Sequence, residues 1–249
     1  MYNFFRTIYI NNTKQHRLLW RKILMRLNQY LSEKENIGLG ITFIDLDETL
    51  FNTFAKINVI KDGKVIRALS NSEFNAYKIK DGESFDFEEF RSSKLFYETS
   101  KPIEKMVKRA ARIIKHTEVK GSKVIILTAR RDLDNKELFL EKFRQEGIPI
   151  DQAYVERAGN KQTGNVTVWQ AKKEIILSYL NTGLYRRTRV FDDFLTVCKE
   201  FLSLGNSLPK EIITKIRKTY DLDETVPDED VIQFESWHVQ DGGTIRSVK

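Results

Sequence analysis

Asp45 and Asp47 stand two residues apart at the end of the β-prone run Ile41-Thr42-Phe43-Ile44. Positions two apart share a face while the chain stays extended, so the spacing brings both carboxylates to one side of a strand end. Carboxylates held this close repel unless a cation sits between them or one is protonated. A buried strand ending in Asp-x-Asp therefore points to a hard metal ion, with Mg²⁺ the natural choice for oxygen ligands. Aspartate is also common where strands stop, so the pair needs support from elsewhere in the chain.

Two further β-prone runs end in chemically able residues. Lys123-Val124-Ile125-Ile126-Leu127 stops at Thr128-Ala129-Arg130, and Thr188-Arg189-Val190-Phe191 stops at Asp192-Asp193. A strand-end hydroxyl and the backbone N–H groups after it bind phosphate oxygens well. Arg130 has two readings at this point: a bidentate grip on a phosphate or second anion, or a pair with an acid in the core.

The elements that must position these residues follow from periodicity. Short continuous apolar runs read as strands buried on both faces, the pattern of a parallel sheet, and such sheets bind ligands at the carboxyl ends of their strands. Between the runs, helical spacing recurs from Pro102 to His116, over 134–146 with Gly147 as a stop, over 168–180, through Leu195 to Leu202, and over 208–220. Lys56 to Arg67 reads as a β-hairpin turning at Asp62-Gly63. Residues 71–100 form an insert rich in Phe and Tyr, whose aromatics serve either as its own core or as a surface over the site. A short strand is expected over Ala153–Val155 and a polar loop over 156–166, where Glu156 and Arg157 are candidates for substrate contact. The acidic stretch 221–230 reads as a loop. Val231 to Val239 alternates like a strand, and Asp241-Gly242-Gly243 turns the chain into a terminal hairpin.

Composition bounds the alternatives. The chain has 249 residues with 41% hydrophobic and 31% charged residues, enough for one large domain with attachments. No apolar run approaches the roughly 20 residues that span a bilayer, and the N-terminus lacks a signal-peptide pattern, so a cytoplasmic location is expected. Cys198 is the only cysteine, which excludes an internal disulfide and a thiolate zinc site; on a helix it reads as a buried structural thiol. His16, His116 and His238 are scattered, without metal-ligand spacing.

Of the net charge of +7, most belongs to residues 1–38, which hold seven Lys or Arg against two Glu. A helix is expected over residues 13–35, with Leu19, Ile23 and Leu27 on one side and Arg17, Arg21, Lys22 and Arg26 on the other. It serves either as a packed helix with a solvated basic face or as a contact for nucleic acid, an anionic surface or a partner protein.

The segment Asp45-Leu46-Asp47-Glu48-Thr49-Leu50 resembles the first motif of the haloacid dehalogenase (HAD) superfamily of phosphohydrolases. Leu127-Thr128-Ala129-Arg130 resembles the second motif, and Asp192-Asp193 the fourth. The third, a lysine near the start of a helix, falls on Lys172, with Lys173 beside it as the fallback. The resemblance covers roughly residues 41–202, and the wording of the hairpin and of Leu127 to Asp132 is similar to HAD-type proteins of large tailed bacteriophages.

The resemblance implies a Rossmann-like α/β domain over 39–205, with a β-hairpin flap and small lid insert over 54–100, a basic extension over 1–38 and a C-terminal extension over 206–249. It implies a Mg²⁺-dependent phosphatase in which Asp45 is the nucleophile and Asp47 the acid and base. Thr128, Ala129, Arg130 and Lys172 would bind the phosphoryl group. Asp45, Asp192, Asp193 and the backbone carbonyl of Asp47 would hold the metal. Nucleotides or polynucleotide ends are the expected substrates. The alternative is a scaffold of this fold that binds nucleic acid or protein without catalysis.

Overall fold

The computed structural model describes residues 38–117, 121–161 and 166–249. The expected helix over residues 13–35 lies outside them. In chain order the strands are β1 (Leu39–Ile44), β2 (Phe51–Asn52), β3 (Ile57–Lys61), β4 (Lys64–Leu69), β5 (Glu83–Asp86), β6 (Lys101–Pro102), β7 (Lys123–Thr128), β8 (Tyr154–Arg157), β9 (Tyr185–Asp192), β10 (Gln233–Gln240) and β11 (Thr244–Ser247).

Six of them form the central sheet in the order β8, β7, β1, β9, β10, β11. Every neighbouring pair is parallel except β10 with β11. Strand alternation sorts the side chains into two cores. Ile41, Phe43, Ile125, Leu127 and Val190 face the helices Val168–Leu180, Leu195–Asn206 and Lys210–Tyr220. Ile44, Val124, Ile126 and Phe191 face the helices Glu104–Thr117 and Lys136–Gln145. Both faces of a parallel sheet must be covered in this way, because its crossovers lay helices on either side. The result is a mixed α/β architecture compatible with a Rossmann-like fold.

β1 lies between β7 and β9, so the chain leaves it toward β7 and β8 and later returns on the other side to β9 and β10. That reversal opens a crevice at the carboxyl end of β1. The register sets Ile44 opposite both Ile126 and Phe191, which brings the ends of the three strands to one mouth.

The hairpin of β3 and β4 turns at Asp62 and Gly63, both with left-handed φ (50° and 72°), as a two-residue Asp-Gly turn requires. β5 adds to its other edge, a third strand that the polar tetrapeptide Glu83–Asp86 gave no cause to expect. This small sheet buries Ile57, Val59 and Leu69, with Phe74, Tyr77, Phe85 and Phe90 packed against them.

Several boundaries shift for local reasons. The helix expected from Pro102 begins at Glu104, because Lys101–Pro102 pairs with β2 as an edge strand, where a missing N–H costs nothing. The helix over 134–146 starts at Lys136, capped by the Asn135 side chain accepting from the Leu138 N–H. Glu156 and Arg157 belong to β8, and a 3₁₀ turn, Ala158–Lys161, occupies part of the expected loop. A short helix, Asp228–Val231, interrupts the acidic stretch. The C-terminal hairpin continues the main sheet, β10 lying parallel to β9. No helix among the described residues is long and apolar enough to cross a membrane.

Candidate functional site

Asp45 follows β1 in phase with Ile41 and Phe43, and Asp192 ends β9 in phase with Val190, so both point toward the Val168–Leu180 helix. That helix starts from a capping box, Thr167 accepting from the Gln170 N–H while Gln170 accepts from that of Thr167. Lys172, one turn inside, sits on its buried face with Ala171, Ile175 and Ile176. Its Nζ donates to Asp45 Oδ1 and Asp192 Oδ2, each at 2.7 Å. Lys173 is half-buried and has no part in this bridge, so Lys172 is the lysine of the site.

Asp193 is held from the first acidic loop. Its N–H donates to Thr49 Oγ1 at 3.0 Å, and the Thr49 hydroxyl donates to its Oδ1 at 3.2 Å. The Phe194 N–H donates to Asp192 Oδ1 at 2.9 Å, and His238 Nε2 lies 2.9 Å from the Asp193 carbonyl. Thr49 was legible only as part of the first motif, and His238, one of the scattered histidines, touches the backbone of the acidic pair.

One carboxylate oxygen from each of Asp45, Asp192 and Asp193 lies within 4.8 Å of the others. Burial drives the Asp45 carboxyl well above its ordinary pKa; Lys172 opposes the shift, and Asp192, Asp193 and Asp47 add to it. Burial and Asp192 likewise raise Asp193 to about 7 against Lys172. Burial works against the Lys172 charge, but Asp192 and Asp45 outweigh it and hold its pKa above the ordinary lysine value. Lys172 thus bridges two buried carboxylates, Asp45 and Asp192, beside a third, half-buried one, Asp193. An acid excess of oxygen-only donors fits a hard divalent cation, which would relieve the repulsion that otherwise takes up protons.

Asp47 has a different partner. The Arg130 guanidinium, 2% exposed as a residue, donates through Nη2 to Asp47 Oδ1 at 2.7 Å and through Nε to Oδ1 at 3.2 Å and Oδ2 at 3.1 Å. Nη1 donates to the Phe90 carbonyl at 3.0 Å, and the guanidinium lies over the rings of Phe90 and Phe96. Arg130 is thus paired with an acid, one that lines the cavity described below rather than the core. Thr128 Oγ1 is 3.4 Å from Asp47 Oδ2 and accepts the Arg130 N–H at 3.1 Å.

The Thr128–Arg130 turn is braced by Gly159. A Cβ there would come within 2.3 Å of the Ala129 carbonyl oxygen and 2.7 Å of the Arg130 carbonyl carbon, so only glycine allows this approach. Glu156 and Arg157 are turned elsewhere, Glu156 accepting from the Tyr179 hydroxyl at 2.6 Å and Arg157 lying 3.2 Å from Asp132. Neither lines the cavity described next, which corrects their expected contact with substrate. Cys198 is fully buried, and burial pushes its thiol up to about 12, as befits a packing residue.

A cavity of about 450 Å³ opens above these groups. Its floor includes Asp45, Asp47, Lys172, Asp192 and Asp193, and Ala129 and Arg130 form one side. Phenylalanines of the insert form another wall. The sequence-predicted residues from four distant stretches therefore meet in one concave site. No family model, curated protein or solved structure matches the chain.

Proposed function

We propose that the protein is a Mg²⁺-dependent phosphomonoester hydrolase of the HAD type, working through an aspartyl-phosphate at Asp45. The observation that carries this reading is the Lys172 bridge between Asp45 and Asp192, beside Asp193, on a cavity floor at the ends of adjacent parallel strands.

In the first step an Asp45 oxygen attacks phosphorus and the bond to the leaving oxygen breaks. Asp47, as the acid, gives that oxygen a proton. In the second step Asp47, now a carboxylate, takes a proton from the water that attacks phosphorus and frees Asp45. Dividing the reaction in this way replaces one hard displacement with two easier ones. Acid–base help of this kind contributes roughly 10² to 10⁴ in rate. The pair with Arg130 orients Asp47 and keeps it beside Thr128. Lys172 balances charge on the nucleophile, and the Thr128 hydroxyl with the Ala129 N–H is the natural set for phosphoryl oxygens.

Asp45, Asp192 and Asp193, with the Asp47 backbone carbonyl, would hold Mg²⁺. When bound, the ion screens the attacking carboxylate from the phosphoryl charge.

The test is phosphate release from a panel of nucleotides, sugar phosphates, phosphorylated oligonucleotides and phosphopeptides, with Mg²⁺ or EDTA. Turnover that needs Mg²⁺ and disappears in Asp45→Asn is the expected result. Equal turnover in Asp45→Asn, or none from any compound, would overturn the reading, the second outcome favouring a binding role.

A further inference from the structure

The cavity above the carboxylates has a wall that phosphate chemistry does not need. Phe74, Phe85, Phe87 and Phe90 of the insert line it on one side, and Phe194 lines it from the segment just after the acidic pair. Phe74, Phe85 and Phe90 also pack on the insert's own core, so their presence has a structural cause. Phe87 and Phe194 belong to none of the apolar clusters among the described residues and are 39% and 44% exposed. Only one other phenylalanine among the described residues is as exposed, Phe54, and it is not among the residues lining the cavity.

Exposed phenylalanine gains nothing from water, and isolated surface cases need no explanation. Two lining one cavity, reached from unconnected parts of the chain beside the reactive carboxylates, are a different matter. Phe87 is also held in place, with its ring edge-on to those of Phe74 and Phe90 at 5.6 and 6.4 Å. A fixed aromatic surface is suited to stacking on a planar ring, and the cavity volume lies in the range of small-molecule sites.

We propose that the alcohol part of the substrate carries a planar aromatic ring that packs against Phe87 and Phe194 while its phosphate lies at Asp45. This rests on the phosphohydrolase reading and adds its substrate class, a nucleoside or aryl phosphomonoester in preference to a sugar or aliphatic one. The two sources of such a ring, a nucleobase and a phenol, share this chemistry and are separated by the test.

Adenosine 5′-monophosphate and ribose 5-phosphate carry the same primary phosphoester and differ in the base, so their kcat/KM ratio reads the ring alone. We expect the nucleotide to be favoured by about tenfold or more, the size of one stacking contact. Phe87→Ala and Phe194→Ala should each reduce that ratio several-fold, while Phe54→Ala leaves it where it was. Binding of both compounds, and of phosphotyrosine and phosphoserine, to Asp45→Asn with Mg²⁺ gives the same comparison without turnover. Preference within the first pair alone assigns a nucleobase, and within the second alone a phenol.

Ratios near one within both pairs of compounds, or equal effects of Phe87→Ala and Phe54→Ala, would overturn the inference while leaving the hydrolase intact. Ring-selective binding with no phosphate release would do the reverse, keeping the pocket assignment and removing the hydrolase.

Discussion

Lys172 decides the charge balance of the site, because it is the cation bridging Asp45 and Asp192. Lys172→Met keeps the packing of its aliphatic stem and leaves the buried carboxylates of Asp45 and Asp192 without their cation. Breaking a buried ion pair on one side costs about 3–5 kcal/mol, so urea unfolding in EDTA should show a loss of that order, and phosphate release should fall at least about 10²-fold. An unchanged unfolding midpoint would mean that the ammonium is not needed for the carboxylates. Asp193→Asn acts in the opposite direction. It removes one excess acid while an amide oxygen still accepts from the Thr49 hydroxyl. We expect a higher melting temperature in EDTA and a smaller rise on adding Mg²⁺. Asp45, Asp192 and Asp193 were legible in the sequence because acids at the ends of apolar strands have no packing role. The Arg130–Asp47 pair was not decided there, since a guanidinium serves an anion or a carboxylate equally well and only the fold shows which is nearer.

Each residue of the proposed site sits at or within about a turn of an element's end, and the integrity of those ends is the next test. Thr167 caps the helix that carries Lys172; Thr167→Ala should cost about 1 kcal/mol by denaturant unfolding and leave the fold intact. Gly159→Ala forces a Cβ into the backbone of the Thr128–Arg130 turn. The expected cost is about 1–3 kcal/mol, with activity lost beyond what stability explains, because the turn must move. Full activity in Gly159→Ala would show that the turn tolerates displacement. The strands that deliver acids were readable from continuous runs such as Lys123–Leu127, and the hairpin from Asp62-Gly63. β5 was not, because Glu83–Asp86 has neither apolar periodicity nor β-branched residues and is a strand only through its pairing with β3. Likewise the role of Gly159 depends on a backbone thirty residues earlier, which no local pattern reveals.

At the scale of the molecule, three chain-distant segments reach one mouth because β1 lies between β7 and β9. The α/β class was legible, since apolar runs alternated with helical spacing. Strand order was not, because parallel pairing joins segments far apart in sequence, and the terminal hairpin shows its place in the main sheet only once β10 is set against β9. The acid excess at that mouth predicts that Mg²⁺ stabilises the folded protein, by about 2.7 kcal/mol at a hundred times its dissociation constant. The most direct test of the proposed chemistry is to quench the wild type during turnover, reduce with borohydride and map the modified residue by mass spectrometry. An acyl phosphate at Asp45 is reduced to homoserine, so homoserine is expected at position 45 only when substrate and Mg²⁺ are both present. Turnover without homoserine there, or with it at Asp47 or Asp192 instead, would contradict the assignment of Asp45 as nucleophile.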